Sequence, residues 1–221
     1  MSGLIERLSA LSFDAFKSTY LKKKLPFVLR NVVSDTGLSK WENISDVEPS
    51  VNTHFDTIDS FTGTSTSLSW SEFPKQQKVM ASAPLAQFSR LIRHLPQVEF
   101  VKAGLQGKSS LEELLVAKNA CSELRREVFH AFMLCMTGSI EARLYSSTQS
   151  DLLYPSATCG SRRNLSEYRP DKPQSEQFPL MQYAKYDHVV VPRGEMLFVP
   201  KGYWSYWCAD ELSFVVRFLW I

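Results

Sequence analysis

Val189-Val190-Val191-Pro192-Arg193-Gly194-Glu195-Met196-Leu197-Phe198-Val199-Pro200-Lys201-Gly202-Tyr203-Trp204-Ser205 is the stretch that decides the fold. Three apolar runs, His188 to Val191, Glu195 to Val199 and Trp204 to Cys208, are separated by Pro-Arg-Gly and Pro-Lys-Gly. Proline fixes one backbone dihedral and glycine supplies left-handed ones, so each tripeptide reads as a turn and each run as a strand. Working outward, Val128 to Met136, Glu141 to Tyr145 and Leu212 to Trp220 continue the pattern, with breaks at Gly138, at the polar Thr158 to Asn164 and at Ala209-Asp210. Short strands at such spacing suit a sandwich or barrel.

The first half is different in character. Leu4, Ile5, Leu8, Leu11, Phe13, Phe16 and Tyr20 fall at roughly helical intervals, Ser12 is placed to cap a helix starting near Phe13, and Lys22 to Lys24 end it. Pro26 to Val33 reads as a strand, and Trp41 as the anchor of the turn after it. Residues 46–74 are rich in Ser, Thr and Asp, with a strand expected only over Ser67 to Trp70. Ser89 to Leu95 and Ser110 to Arg126 carry helical spacings, the second through Leu111, Leu114, Leu115 and Leu124, so a helix-rich middle is expected. The expected organisation is one domain over residues 1–221: an opening helix and first strand in 1–45, a helical and irregular insert in 46–124, and a barrel core in 125–221.

Composition narrows the function classes. The chain has 221 residues, 44% hydrophobic, 12% aromatic and 22% charged, which is ordinary for one globular core. A formal charge of +2 gives no global field toward nucleic acid or a membrane surface. Cys121, Cys135, Cys159 and Cys208 are widely spaced, with no Cys-x-x-Cys pair and no histidine at zinc-site intervals, and are expected to be reduced and mostly buried. The first residues lack the apolar run of a secretory signal and the acid-poor pattern of a transit peptide, and no stretch reaches transmembrane length. The expectation is a soluble, intracellular chain, nuclear or cytoplasmic.

Several local motifs resemble the cupin-like, JmjC branch of the 2-oxoglutarate oxygenases, in pattern the asparaginyl hydroxylase and tRNA-wybutosine hydroxylase type. They are Gly138 followed by Leu144-Tyr145 and Leu153-Tyr154-Pro155, then Arg169-Pro170-Asp171 and Phe178-Pro179, then the Arg193 to Trp207 block, and finally Val216-Arg217-Phe218-Leu219. Phe13 to Phe16 and Pro26 to Arg30 resemble the family's first helix and strand. The resemblance implies a mainly β fold with flanking helices, a double-stranded β-helix (jelly roll) around a pocket where two histidines and one carboxylate hold Fe(II).

At the positions the resemblance assigns to that triad, this chain has Arg125, Glu127 and Ser205. A guanidinium is always cationic and cannot bind a cation, and a serine hydroxyl is a poor Fe(II) ligand. The lysine that would hold the 2-oxoglutarate carboxylate falls on Ile140, and the asparagine near the metal falls on Arg217. His54-Phe55-Asp56 repeats the His-x-Asp spacing but lies outside the expected barrel; His130 stands an odd number of residues from Glu127 and so faces the other side of a strand; His188 reads as a strand-end surface residue. Two readings of the substituted pocket stand side by side. Arg125, Glu127 and Arg217 form a buried Arg-Glu-Arg cluster that replaces the metal as cross-link between the sheets, or the three reach solvent at the barrel mouth.

Four functions follow. The first is an inactive JmjC-like domain serving as a protein-binding or scaffolding subunit, with no catalytic residue, metal or cofactor expected. Its partners would be other protein subunits, with RNA reached through a ribonucleoprotein complex and no membrane involved. The last predicted strand ends at Trp220, directly before the final residue, so no C-terminal dimerisation helices are expected; Tyr203, Trp204, Tyr206 and Trp207 are candidates for a contact surface, with half of them expected to face the core by strand alternation. The second is a protein or RNA hydroxylase that uses Fe(II) and 2-oxoglutarate at an atypical site. The third is direct RNA contact through Arg162, Arg163, Tyr168, Arg169 and Lys172. The fourth is a metal-free site for a small anion between Arg125 and Arg217.

Overall fold

A computed structural model describes residues 5–33, 41, 54–59, 64–69, 75–88, 92, 95, 110–157 and 164–220. Its strands are β1 (Glu6–Leu8), β2 (Phe27–Leu29), β3 (His54–Asp59), β4 (Thr64–Ser69), β5 (Val79–Pro84), β6 (Ser110–Lys118), β7 (Ala120–Cys121), β8 (Arg125–Arg126), β9 (His130–Thr137), β10 (Ser139–Tyr145), β11 (Asp187–Pro192), β12 (Met196–Val199), β13 (Trp204–Ala209) and β14 (Ser213–Trp220). The larger sheet runs β1-β2-β12-β9-β14-β6-β5-β3-β4, and the smaller β11-β10-β13-β7, with β8 also paired to β13. Apart from the parallel β1–β2 pair, the ladders are antiparallel. The molecule is a mainly β jelly roll with a few short helical segments, and its two sheets are not closed on each other by strand pairing.

Strand alternation sorts the larger sheet's side chains into two cores. On β14, Phe214, Val216 and Phe218 face one cluster, while Val215 and Leu219 face another that also holds Ile140, Ala142, Leu144, Val189, Val191 and Trp207 of the smaller sheet. The second cluster is therefore the inter-sheet core, and the first lies on the larger sheet's outer face. A helix beginning at Phe13 covers that outer face: Ser12 Oγ accepts from Ala15 N at 3.3 Å, and Phe16–Leu21 continues as π turns. Phe16 is fully buried, with its ring 5.2 Å from Phe198, 5.7 Å from Phe132 and 6.1 Å from Phe27. Truncating such an aromatic to alanine typically costs ~3–5 kcal/mol. A third cluster, built on Leu124, Tyr145, Leu153, Trp204 and Tyr206, lies on the outer face of the smaller sheet.

Gly138 makes the turn between β9 and β10 with φ of 65°, and a Cβ there would lie 2.7 Å from the Leu212 carbonyl oxygen, so no larger residue fits. One edge of the opening between the sheets is fastened by Arg7, whose guanidinium ion-pairs with Glu195 and donates to the Val190 carbonyl of edge strand β11.

Three expectations are corrected. Ser110–Lys118 is a strand, not a helix: β6 pairs with β14 on one side and β5 on the other, and Leu114 to Ala117 are buried on both faces. A run covered on both sides loses the period-two signal, and its Leu and Glu content imitates a helix. The middle of the chain is accordingly strand-rich among the described residues, β3 to β6 extending the larger sheet, although most of Ser89 to Leu95 lies outside them. The cysteines are not all reduced: Cys121 and Cys208 form a disulfide across β7 and β13, bridging a sequence separation of 87. Cys135 is free and buried, and Cys159 lies outside the described residues. Trp204, Tyr206 and Trp207 are buried and Tyr203 is half-buried, so more of this aromatic stretch is core than the half expected from strand alternation, and it offers little contact surface.

Candidate functional site

The candidate site is built where the short strand β8 meets β13, Arg125 standing opposite Ser205 and Arg126 opposite Trp204. Directly opposed residues share a face. Ser205 alternates with Trp204 and Tyr206 of the outer cluster, so Ser205, Arg125 and Glu127 belong to the interior face. Glu127 is anchored through its backbone to the turn before β13, its N–H donating to the Tyr203 carbonyl at 2.8 Å and its carbonyl accepting from Gly202 N at 2.8 Å. The Pro-Lys-Gly turn seen in the sequence thus sets the position of the carboxylate.

The side chains then form two separate polar pairs. Ser205 Oγ donates to Glu127 Oε1 at 2.5 Å, with both residues buried, Glu127 at 6% exposure. Arg217 does not join them. It stands opposite Glu113 in the β14–β6 ladder, its Nε donating to Glu113 Oε2 at 3.0 Å and its Nη2 completing the ion pair. Arg217 and Glu113 lie on the same strand faces as Leu219 and Leu115 of the inter-sheet core. The expected Arg-Glu-Arg cross-link is therefore corrected: each sheet satisfies its own charge, because the nearest partner of a strand residue is the one directly across the ladder. Glu113 was missed because reading 110–126 as a helix left nothing opposite Arg217. Arg125 is half-buried, and its Nε is buried without a hydrogen-bond partner.

Ile140 is fully buried in the inter-sheet core opposite Val191 and offers only hydrocarbon. His130 faces the outer core, its ring 5.8 Å from that of Phe198 at 15°, and its Nδ1 accepts from Lys201 N at 3.1 Å. His188 is exposed and pairs with Glu141 at 2.9 Å. His54 and Asp56 stand on β3, separated from β14 by β5 and β6. Tyr154 of the Leu-Tyr-Pro motif adopts φ of 48°, and its hydroxyl accepts from Leu180 N at 2.9 Å.

Of the basic stretch, Arg162 and Arg163 lie outside the described residues. Tyr168 packs edge-on against Phe178, the centroids 5.7 Å apart, and burial raises its hydroxyl pKa above the usual value. Arg169 is held by both oxygens of Asp171, at 3.2 and 2.9 Å, while Lys172 is exposed. A cation–π contact that the sequence did not single out lies nearby: the Arg143 guanidinium sits 5.2 Å from the Tyr186 ring and 5.7 Å from the Tyr206 ring.

The donor set does not fit the iron that the fold family implies. The Glu127 carboxylate already accepts the proton of the Ser205 hydroxyl, and the side chain opposite Ser205 is the guanidinium of Arg125, which cannot bind a cation. Among the described residues no three His, Cys, Asp or Glu side chains come together as a metal-binding group.

Comparison with known proteins agrees with the fold. The family described as "Cupin-like domain" matches residues 43–210. Lysine-specific demethylase 8 of Xenopus tropicalis is 28% identical over 119 residues, 52% of this chain and 27% of that protein. Its counterpart of the same name in Danio rerio is 32% identical over 99 residues, 45% of this chain and 24% of that protein. Lysine-specific demethylase JMJ30 of Arabidopsis thaliana is 23% identical over an alignment of 252 residues, 98% of this chain and 54% of that protein. The chain thus spans from about a quarter to about half of the curated relatives it matches. With its two-sheet jelly roll and a match over most of its length, the chain belongs to the cupin-like, JmjC-type domain family.

Proposed function

We propose that this domain has given up Fe(II)- and 2-oxoglutarate-dependent turnover and acts as a protein-binding or scaffolding subunit. The observation that carries the reading is the Ser205–Glu127 hydrogen bond: the hydroxyl at the second histidine position is committed to the carboxylate that would otherwise ligate metal. Ile140 supports it, since a buried aliphatic side chain cannot hold a dicarboxylate. Its partners are other protein chains. Direct RNA contact is the weaker alternative because Asp171 neutralises Arg169. A small-anion site between Arg125 and Arg217 is weaker still, since Arg217 is already matched by Glu113.

The second reading, a hydroxylase or demethylase with an atypical site, is favoured by the names of the relatives and by the retained carboxylate of Glu127. Anaerobic calorimetric titration with Fe(II) or Mn(II), with and without 2-oxoglutarate, separates the two. The scaffold reading expects no stoichiometric binding to the wild type, and the variant Arg125→His with Ser205→His is expected to gain Mn(II) affinity. Stoichiometric micromolar binding by the wild type would overturn it and send the protein to hydroxylation assays.

A further inference from the structure

We propose that the Cys121–Cys208 bond is a site of reversible thiol–disulfide exchange, opened by a dithiol reductant, and that opening it releases residues 120–127 from β13. This goes beyond the scaffold reading and does not depend on whether the domain binds metal.

The two cysteines stand opposite each other in the β7–β13 pair, their Cα atoms 4.0 Å apart. They lie on the outer face of the smaller sheet, packed at the margin of the Leu124, Tyr145 and Trp204 cluster, and both are only half-buried. Beside them is a small groove of about 40 Å³, lined by Cys121, Ser122, Leu124, Tyr168, Arg169 and Asp171. Cys121 thus borders the groove and is partly exposed, the side from which an incoming thiolate would approach. Cys135 has no such side: it is fully buried in the inter-sheet core, its thiol donating to the Thr137 carbonyl, and burial first, then the charge of Glu211, push its pKa up to about 12.

What the bond holds is the segment that carries the candidate site. β7 and β8 are two residues each, and between them Ser122 N donates to the Trp207 carbonyl at 2.7 Å while Ser122 Oγ accepts from Trp207 N at 2.9 Å. The second ladder pairs Arg125 and Arg126 with Ser205 and Trp204, and Glu127 follows it, its side chain bonded by Ser205. The disulfide is the covalent member of that set.

A reductant thiolate attacks the Cys121 sulfur, the protein S–S bond breaks, and Cys208 leaves as a thiolate that takes up a proton. The second thiol of the reductant then closes on the mixed disulfide and frees Cys121. The protein gains two electrons and two protons in total, and the dithiol becomes a disulfide.

The test treats the oxidised full chain with dithiothreitol under native conditions, then maps maleimide labelling and amide hydrogen exchange by mass spectrometry. Expected are new labels on Cys121 and Cys208, Cys135 remaining unlabelled until the chain is unfolded, and exchange across 120–127 faster by roughly tenfold or more, reversing on reoxidation. The Cys121→Ser, Cys208→Ser double variant is expected to exchange fast from the start and to ignore dithiothreitol. Labelling of both cysteines without reductant, opening only in denaturant, or reduction with unchanged exchange would each overturn the proposal.

Discussion

The two polar pairs inside this jelly roll solve the same problem with different chemistry. In the larger sheet Arg217 meets Glu113, a full ion pair between adjacent strands, while in the smaller sheet the carboxylate of Glu127 meets only the neutral hydroxyl of Ser205. The first pair is self-sufficient, its charges cancelling where water is scarce. The second pair carries the carboxylate's charge without a cation of its own, and the half-buried Arg125 stands across the ladder from Ser205. Each arrangement is internal to its own sheet, so neither pair ties one sheet to the other.

That contrast can be broken first at its stronger member. Arg217→Ala strands Glu113 in the interior and is expected to lower stability by about 3–5 kcal/mol in chemical denaturation, while Arg217→Met with Glu113→Leu is expected to be near neutral or stabilising. A single-variant loss below about 1 kcal/mol would mean that the pair is solvated. Removing the covalent tie beside the weaker member, with serine at both Cys121 and Cys208, is expected to cost about 2–4 kcal/mol, in keeping with the long loop it closes. Ser205→Ala deprives the Glu127 carboxylate of its donor and is expected to cost about 1.5–3 kcal/mol, with Glu127→Gln milder because the amide oxygen still accepts. A Ser205→Ala protein as stable as wild type would show that the hydroxyl is dispensable.

The smallest effect is alkaline. Burial first, then the hydrogen bond to Glu6 and its charge, push Tyr20 up to about 12, and burial, with Asp171, pushes Tyr206 to about 12 against the opposing pull of Arg143 and Arg169. A raised folded-state pKa contributes stability that is complete below the unfolded value near 10 and is lost as pH climbs through about 12. Denaturation midpoints should hold to about pH 9.5 and then fall, and Tyr206→Phe should make the fall shallower.

The legible part of the sequence was the part with punctuation. Gly138, Pro192-Arg193-Gly194 and Pro200-Lys201-Gly202 bracket strands that were placed to within a residue or two, and Ser12 caps the helix it was expected to cap. Ser205 and Glu127 meet on the inner side, while His130 faces the outer core. What failed was long-range. β6 carries no turn signal inside it and is buried on both faces, so its apolar run gave no period. Losing β6 hid Glu113, and with it the partner of Arg217. The Cys121–Cys208 pair was invisible for a related reason, since only the β7–β13 register brings together cysteines 87 apart.

Arg7 has a consequence for how the molecule behaves in company. β11 is the outermost strand of the smaller sheet, and the Arg7 guanidinium covers its Val190 carbonyl while pairing with Glu195. Bare edge strands recruit other chains, and a cation parked on one is a deterrent. Arg7→Ala should therefore leave the lone molecule close to intact yet make concentrated samples scatter light as copies stack edge to edge, a colloidal defect rather than a folding one.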